Sequence, residues 1–386
     1  MNSSETYKND GVDVELGDQI SSYAFSVCKN TYKNSPFIEI VDMSKHFRGL
    51  RGFRPTNLPD GSFFDLALDG VGTKVVIIDA AESHKNSYQD VMAMCNGDIT
   101  RAGGLPVIFS SVLDVSTLGE DQDTVTFKNF KSMFDGLVEL ANEQGIVAWK
   151  GETAELGACV GSENQNAVNK FNIAGVAFGV YHPDRLITGN IEPGDVVIAL
   201  KEYGFRSNGI SSVRKALAIA FGPDWMNKSE AQRYIQMAAE PSKLYDKFLA
   251  ALNGWYPDEI SERIPVKAIA HVTGGGIVGK FGEDILFPSG HSAYLSNLFV
   301  PPEVMSWAKD VRKISDEEVY HTWNGGQGVL LVVPHGQQDC VTRYAEQFGI
   351  EVRIAGTIDQ TSSGQKPELQ ILSRFSKESP ELIYTA

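Results

Sequence analysis

The chain has 386 residues, of which 42% are hydrophobic and 22% charged, a balance that suits a globular protein and excludes a disordered or fibrous one. Its formal net charge of -15 argues against nucleic acid or an anionic membrane as the main partner, because phosphates would be repelled overall. At roughly 100–200 residues per domain, the length predicts two domains.

Residues 1–11 are polar and charged, and no run approaches about 18 uninterrupted apolar residues, so neither export nor membrane spanning is expected. Cys28, Cys95, Cys159 and Cys340 are scattered without a C-x-x-C pair. That spacing suggests no zinc ribbon or redox dithiol, and it fits a reducing, cytoplasmic setting.

Apolar runs at 63–68, 75–78, 105–113, 146–149 and 171–180 are short, often β-branched and bounded by Gly or Pro, and are read as strands. Between them, Phe127, Phe130, Met133, Phe134, Leu137, Leu140 and Ala141 recur at helical spacing, with Gly145 as the stop. A second helix is expected over about 88–102. The breakers His182-Pro183-Asp184, Gly189-Asn190 and Pro193-Gly194-Asp195 mark a linker.

These signals predict a first domain over 1–182 and a second over 183–360. In the second, strands are expected at 196–200, 266–271, 329–333 and 352–357, and helices at 210–221 and 242–252. Residues 361–386 are more polar and read as a loosely held tail. Strands and helices mix without regular alternation, which predicts an α+β fold rather than a doubly wound sheet.

Several segments carry chemistry. Asp69-Gly70-Val71-Gly72-Thr73-Lys74 joins the first two strand runs. Its glycines allow a ligand close to the backbone, and Lys74 adds positive charge. It lacks the spacing of a Walker A loop. A tight glycine turn flanked by surface charges fits the hexapeptide equally well.

On the 88–102 helix, Val91, Cys95, Asp98 and Ala102 share one stripe. A carboxylate on an apolar face needs a metal, a cation, several donors or a wet cleft. Gly151-Glu152-Thr153 follows the 146–149 strand, which places Glu152 at a strand end. Asp69, Asp98 and Glu152 are hard oxygen ligands of the kind Mg²⁺ shares with water and nucleotide phosphates.

Ser207-Asn208-Gly209 precedes the 210–221 helix, whose N-terminus can hold an anion, although a plain helix cap explains Ser207 or Asn208 as well. His271-Val272-Thr273-Gly274-Gly275-Gly276 leaves a strand and opens a helix. Gly274, Gly276 and Gly279 satisfy a dinucleotide-binding spacing, but the acid required about 20 positions onward is absent. His271 is a candidate for substrate polarisation or a satisfied structural histidine. Asn324-Gly325-Gly326-Gln327-Gly328 is a further glycine-rich loop.

Taken in this order, the segments 69–74, 94–98 with Gly103-Gly104-Leu105-Pro106, 151–155, 207–209 with Val213-Arg214-Lys215, 269–276 and 324–328 resemble the aminoimidazole ribonucleotide synthetase (phosphoribosylformylglycinamidine cyclo-ligase) family. Tyr7-Lys8 and Gly11-Val12-Asp13 extend the match towards the N-terminus. The resemblance implies an N-terminal ATP- and Mg²⁺-binding domain whose sheet closes into a β-barrel across a homodimer, and a C-terminal α+β domain.

It also implies ATP contacts from Asp69, Gly70, Gly72, Thr73 and Lys74, metal ligation by Asp69, Asp98 and Glu152, and catalytic parts for Lys74, Asp98 and His271. Thr153, Ser207, Asn208, Gly209, Thr273, Gly274, Gly275 and Asn324 would bind the substrate, formylglycinamidine ribonucleotide. The implied reaction belongs to purine biosynthesis.

The chain departs from the family pattern at residues 47–54, where arginines replace small residues, at Ser110 and Ser111, at 156–159 and within 324–328. These departures keep open a diverged paralogue acting on another phosphate acceptor, or a silent nucleotide-binding homologue. Selenophosphate synthetase is disfavoured by the placement of Cys28, and the hydrogenase-maturation relative by the Tyr384-Thr385-Ala386 ending.

Overall fold

A computed structural model describes residues 11–46 and 49–386. The Tyr7-Lys8 motif and the Phe47-Arg48 part of the altered loop lie outside the described residues. The described residues form two compact units, one comprising those up to Asn96 with Pro106–Pro183, the other Gly97–Leu105 with Asp184–Ala386. The division after Pro183 lies beside the linker breakers, but the segment from Gly97 to Leu105 goes with the second unit.

The first unit opens with helix α1 (Val14–Cys28), started by Asp13, whose side chain accepts from the Leu16 amide. Strands β1 (Ile38–Asp42) and β2 (Arg51–Pro55) form an antiparallel pair. β3 (Phe63–Gly70) is followed by helices α2 (Lys74–Ala80) and α3 (Ser87–Thr100), then β4 (Leu105–Val115), α4 (Val125–Gln144), β5 (Val147–Glu155) and β6 (Phe171–Tyr181). The four longer strands make one sheet in the order β3-β6-β4-β5, so β3 and β5 are its edges.

α4 shows the local logic plainly. Thr124 accepts from the Phe127 amide at its start, Gly145 at φ 70° ends it in the left-handed region, and Phe127, Phe130, Met133, Phe134, Leu137 and Ala141 are buried along one face. Each large apolar side chain buried there contributes on the order of 1.5–3 kcal/mol.

The second unit is built on a seven-stranded sheet in the order β13-β12-β9-β11-β7-β10-β8. Its strands are β7 (Val196–Lys201), β8 (Ala268–His271), β9 (Ser292–Leu295), β10 (Gln327–Val333), β11 (Val352–Asp359), β12 (Glu368–Leu372) and β13 (Glu381–Thr385). The helices are α5 (Ile210–Phe221), α6 (Gln232–Ala238), α7 (Asp246–Leu252), a π-helical stretch Val278–Leu286 running into the single turn α8 (Phe287–Ser289), α9 (Glu303–Arg312), α10 (Asp316–Thr322) and α11 (Gln338–Gln347). β7 and β10 are buried almost throughout, and α7 and α11 share a core with them through Leu249, Leu252, Val341 and Ala345. Both units mix helices with sheets, an α+β fold. Among the described residues no helix is long and apolar enough to cross a membrane.

Three expectations need correction. The apolar run at 75–78 is helix α2, because its Val and Ile side chains bury against the first unit's core and tertiary packing overrides their strand preference. The strand before Glu152 does not stop at Trp149 but runs on to Glu155, so Glu152 lies within β5. The tail expected beyond residue 360 supplies β12 and β13, with Leu369 and Ile371 fully buried.

Candidate functional site

The second unit brings two of the glycine loops to one cavity. Asn208 and Gly209 from the loop before α5, with Gly274 and Gly275 from the loop after β8, line a pocket of about 440 Å³. The remaining wall comes from Ser211 and Ser212 on α5, Arg312 and Ile314 at the end of α9, and Glu318, His321, Thr322 and Trp323 on and after α10.

Glycine is required at two positions of these loops. Gly209 sits at φ 79°, and a Cβ there would run into the Trp323 indole. Gly276 sits at φ 60°, and a Cβ there would meet the Tyr320 carbonyl oxygen. Both loops therefore lie directly on the α10 wall.

The pocket is suited to an anion. α5 begins at Gly209 without any side-chain cap, so its first amides are presented with the positive end of the helix dipole. Arg312 Nη1 donates to Ser212 Oγ at 2.7 Å, fixing a guanidinium beside that helix start. The Ser207 hydroxyl is buried without a hydrogen-bond partner in the protein.

α10 itself is started by an N-cap: Ser315 Oγ accepts from the Glu318 amide at 3.2 Å, and acidic residues fill the first turn. Arg312, Glu318, His321 and Thr322 escape a sequence reading because they are single polar residues on short helices, about a hundred positions from one loop they join and about 40–50 from the other. The Ser315-x-x-Glu318 spacing is the one signal that marks their helix.

Asn324, expected at the substrate, is buried and spent on the fold. Its Nδ2 donates to the Gly204 carbonyl at 2.9 Å and its Oδ1 accepts from the Gly326 amide at 2.8 Å. It ties one glycine loop to another and does not line the pocket. Thr273 is half-buried in the loop before Gly274.

Asp98 and His271 come together in the second unit. Gly97 carries no Cβ, which lets the His271 ring lie against the end of α3. His271 Nε2 is 2.8 Å from Arg206 Nη2. An arginine can only donate, so Nε2 accepts and the ring proton sits on Nδ1. Nδ1 faces Asp98 Oδ1 at 3.7 Å.

Burial pushes His271 down to about 4, the nearby Arg206 charge adding to the effect against the pull of Asp98, so the ring is neutral at physiological pH. Burial alone would push the Asp98 carboxyl up. The facing His271 and the Arg101 guanidinium, 3.1 Å away, outweigh it and hold it below the usual carboxylate range. Asp98 keeps 40% of its side chain exposed, whereas His271 is buried between Arg206 and Asp98. As placed, His271 is buried, with Nδ1 near Asp98 but beyond hydrogen-bond reach of it.

In the first unit the Asp69–Lys74 loop splits into exposed and buried parts. Asp69, Gly72 and Thr73 are exposed and Gly70 half-buried, and Asp69 Oδ1 accepts from the Gly70 amide at 2.7 Å. Lys74 is fully buried, its Nζ 2.7 Å from Asp90 Oδ1 in a pair with at most 1% of either side chain exposed. Lys74 in this state is therefore closed to a phosphate, contrary to its expected part in ATP binding. The cause is the helical turn that directs it inward.

Glu152 and Thr153 line a separate cavity of about 150 Å³ with Arg51, Ser111 and Trp149. Asp69 and Glu152 lie on the opposite edge strands of the first sheet, and Asp98 belongs to the other unit. Among the described residues no three His, Cys, Asp or Glu side chains gather into a metal-holding group. Within the first unit, Asp69 and Glu152 are thus kept apart by the two inner strands of the sheet.

Residues 192–365 match the family model described as AIR synthase related protein, C-terminal domain. Over 362 residues the chain is 28% identical to the phosphoribosylformylglycinamidine cyclo-ligase of Synechococcus elongatus, covering 93% of this chain and 97% of that protein. Its fold is like that of thiamine-monophosphate kinase from Stenotrophomonas maltophilia, with a TM-score of 0.59 at 11% identity over 92% of this chain and 97% of the other. It is also like that of the hydrogenase maturation protein HypE in complex with ATP, with a TM-score of 0.53 at 13% identity over 85% of each chain. At such identities these two likenesses speak to the fold alone. Residues 192–365 thus resemble the C-terminal domain of AIR synthase related proteins, and the chain over nearly its whole length is similar to the phosphoribosylformylglycinamidine cyclo-ligases.

Proposed function

We propose that the protein is an ATP-dependent cyclo-ligase converting formylglycinamidine ribonucleotide to aminoimidazole ribonucleotide in cytoplasmic purine biosynthesis. The formyl oxygen of the substrate attacks the γ-phosphorus of ATP, forming a P–O bond as ADP leaves. The amidine nitrogen then attacks the activated carbon, loses its proton and expels inorganic phosphate, which closes the imidazole ring. Such chemistry asks for positioning and charge stabilisation more than for a covalent side-chain partner.

The observation that carries this reading is the convergence of Asn208, Gly209, Gly274 and Gly275 on one pocket, in a chain that aligns with the cyclo-ligases over 93% of its length. On this reading the pocket holds the ribotide, with Ser207, the α5 amides and Arg312 towards its phosphate and Thr273 nearby. Asp98, kept ionised and partly exposed, faces the reacting amide. The exposed Asp69, Gly72 and Thr73 meet ATP, and Lys74 reaches a phosphate only by leaving Asp90.

A homodimer belongs to the same proposal. The edge strand β3 exposes Phe63, Phe64, Leu66 and Leu68, the last at 67%, an apolar edge that an isolated protein would need to cover. Pairing β3 of one copy with β5 of its partner would bring Asp69 and Glu152 from different copies to one place. That is the arrangement in which a magnesium site from these carboxylates makes sense. Sedimentation should show a dimer that Leu66→Asp converts to monomer. A wild-type monomer would contradict it.

The deciding assay is ADP release with and without formylglycinamidine ribonucleotide. Release that depends on the ribotide supports the cyclo-ligase. ATP binding without turnover on any ribotide favours a silent nucleotide-binding homologue.

A further inference from the structure

Beyond the pocket itself, and resting on its assignment to a ribotide, we propose that Tyr384 in the last strand is a positioning residue that holds His321 and the α10 wall in place for ligand binding. α10 has seven residues, too few to persist without tertiary support, so its location is set by what packs behind it. Three of its residues, with Trp323, form one side of the pocket.

Lys309 on α9 pairs with Asp316 at 2.9 Å, and much of the remaining support for α10 comes from the last residues of the chain. The Tyr384 ring meets the His321 ring edge-on, with centroids 5.0 Å apart and planes at 83°, and Tyr384 Oη donates to the Glu317 carbonyl at 3.1 Å. Ser373 and Ser376 hydroxyls donate to the Asp316 carboxylate. The Arg374 amide donates to Tyr320 Oη at 3.0 Å. The Phe375 ring packs 5.3 Å from Tyr320 and 6.2 Å from Trp323.

All of these groups lie after residue 365, where the match to the family domain ends. They lie beyond that match and press against the back of a pocket wall. Because the Trp323 indole leaves no room for a side chain at Gly209, a shift of α10 is transmitted to the loop that begins α5. Among these contacts Phe375 reaches the pocket-lining Trp323, and the pocket-lining His321 is met edge-on by Tyr384. Removing its ring opens a void behind His321, and the imidazole loses the surface that fixes its rotamer.

The test uses full-length protein, with ribose 5-phosphate as the probe in calorimetry and the ribotide and ATP in kinetics. Tyr384→Ala should weaken ribose 5-phosphate binding and raise KM for the ribotide by about 5- to 30-fold, the size of one coupled contact. KM for ATP should stay put, and kcat should stay within about twofold. Tyr384→Phe, which keeps the ring, should restore most of the affinity. In a His321→Ala background Tyr384→Ala should add little.

Circular dichroism checks that each variant is folded. A folded Tyr384→Ala protein that binds ribose 5-phosphate like wild type overturns the inference and leaves the cyclo-ligase reading intact. Equal loss of ribotide and ATP affinity also overturns it, since that marks general instability. Wild-type protein that neither binds ribose 5-phosphate nor turns over the ribotide overturns both.

Discussion

Breaking the Lys74–Asp90 pair tests how far the first unit depends on a buried charge. Lys74 is the first residue of α2, where a cation opposes the helix dipole, and Asp90 lies in the first turn of α3, where an anion is favoured. With a separation of 2.7 Å and almost no exposure, neither charge can turn to water. Asp90→Asn removes the carboxylate charge facing a buried ammonium, and removal of one partner from such a pair costs about 3–5 kcal/mol.

At an m-value of about 2 kcal/mol/M in urea, the lower half of that cost alone is a drop in midpoint of roughly 1.5–2 M. Lys74→Met combined with Asp90→Leu removes both charges and keeps the volume, so the double variant should be close to wild type or more stable by about 1–4 kcal/mol. Urea unfolding followed by circular dichroism reads both. A midpoint shift below about 0.5 M for Asp90→Asn, or a double variant as unstable as the single one, refutes the reasoning. The folded double variant also isolates function, because lost ATP turnover in it would mean that Lys74 leaves Asp90 to meet a phosphate.

Two further outcomes follow from the second unit. His271 has a native value near 4 against 6.5 in a model peptide, so between those values the unfolded chain binds more protons than the native one. Its contribution is complete above about pH 6.5 and is lost as pH falls towards 4, about 3 kcal/mol in all; His271→Asn should flatten the acid limb of the stability profile over that window. Gly209→Ala places a Cβ at φ 79° against Trp323, and should cost at least about 1–3 kcal/mol of stability while weakening ribotide binding more than ATP binding, read by thermal melts and the two KM values.

Much of this arrangement is written in short-range pattern. The α4 helix follows from its apolar spacing and its Gly145 stop. The loops at 207–209 and 273–276 announce themselves by small residues beside apolar runs, and the structure sets them in one pocket. The run Val75-Val76-Ile77-Ile78 misleads, because β-branched letters favour a strand while the core they fill demands a helix. That reversal carries Lys74 inward and changes the reading of the whole 69–74 loop.

The polar letters after residue 360 hide two short strands, since Leu369, Ile371 and Tyr384 are few and only their burial against the rest of the second unit makes them structural. The apolar stripe marks Asp98, whose charge meets the local Arg101 at 3.1 Å and faces a histidine from a distant strand at 3.7 Å. No local pattern could pair Arg206 with His271, or α10 with the chain end. Those contacts depend on sheet order, which short motifs do not encode.

The most direct measurement of the central claim is ADP formation by purified full-length protein given ATP, magnesium and formylglycinamidine ribonucleotide. ADP released in step with aminoimidazole ribonucleotide, and only when the ribotide is present, is the expected result. ATP hydrolysis indifferent to the ribotide, or no turnover by protein that binds both ligands, would contradict it.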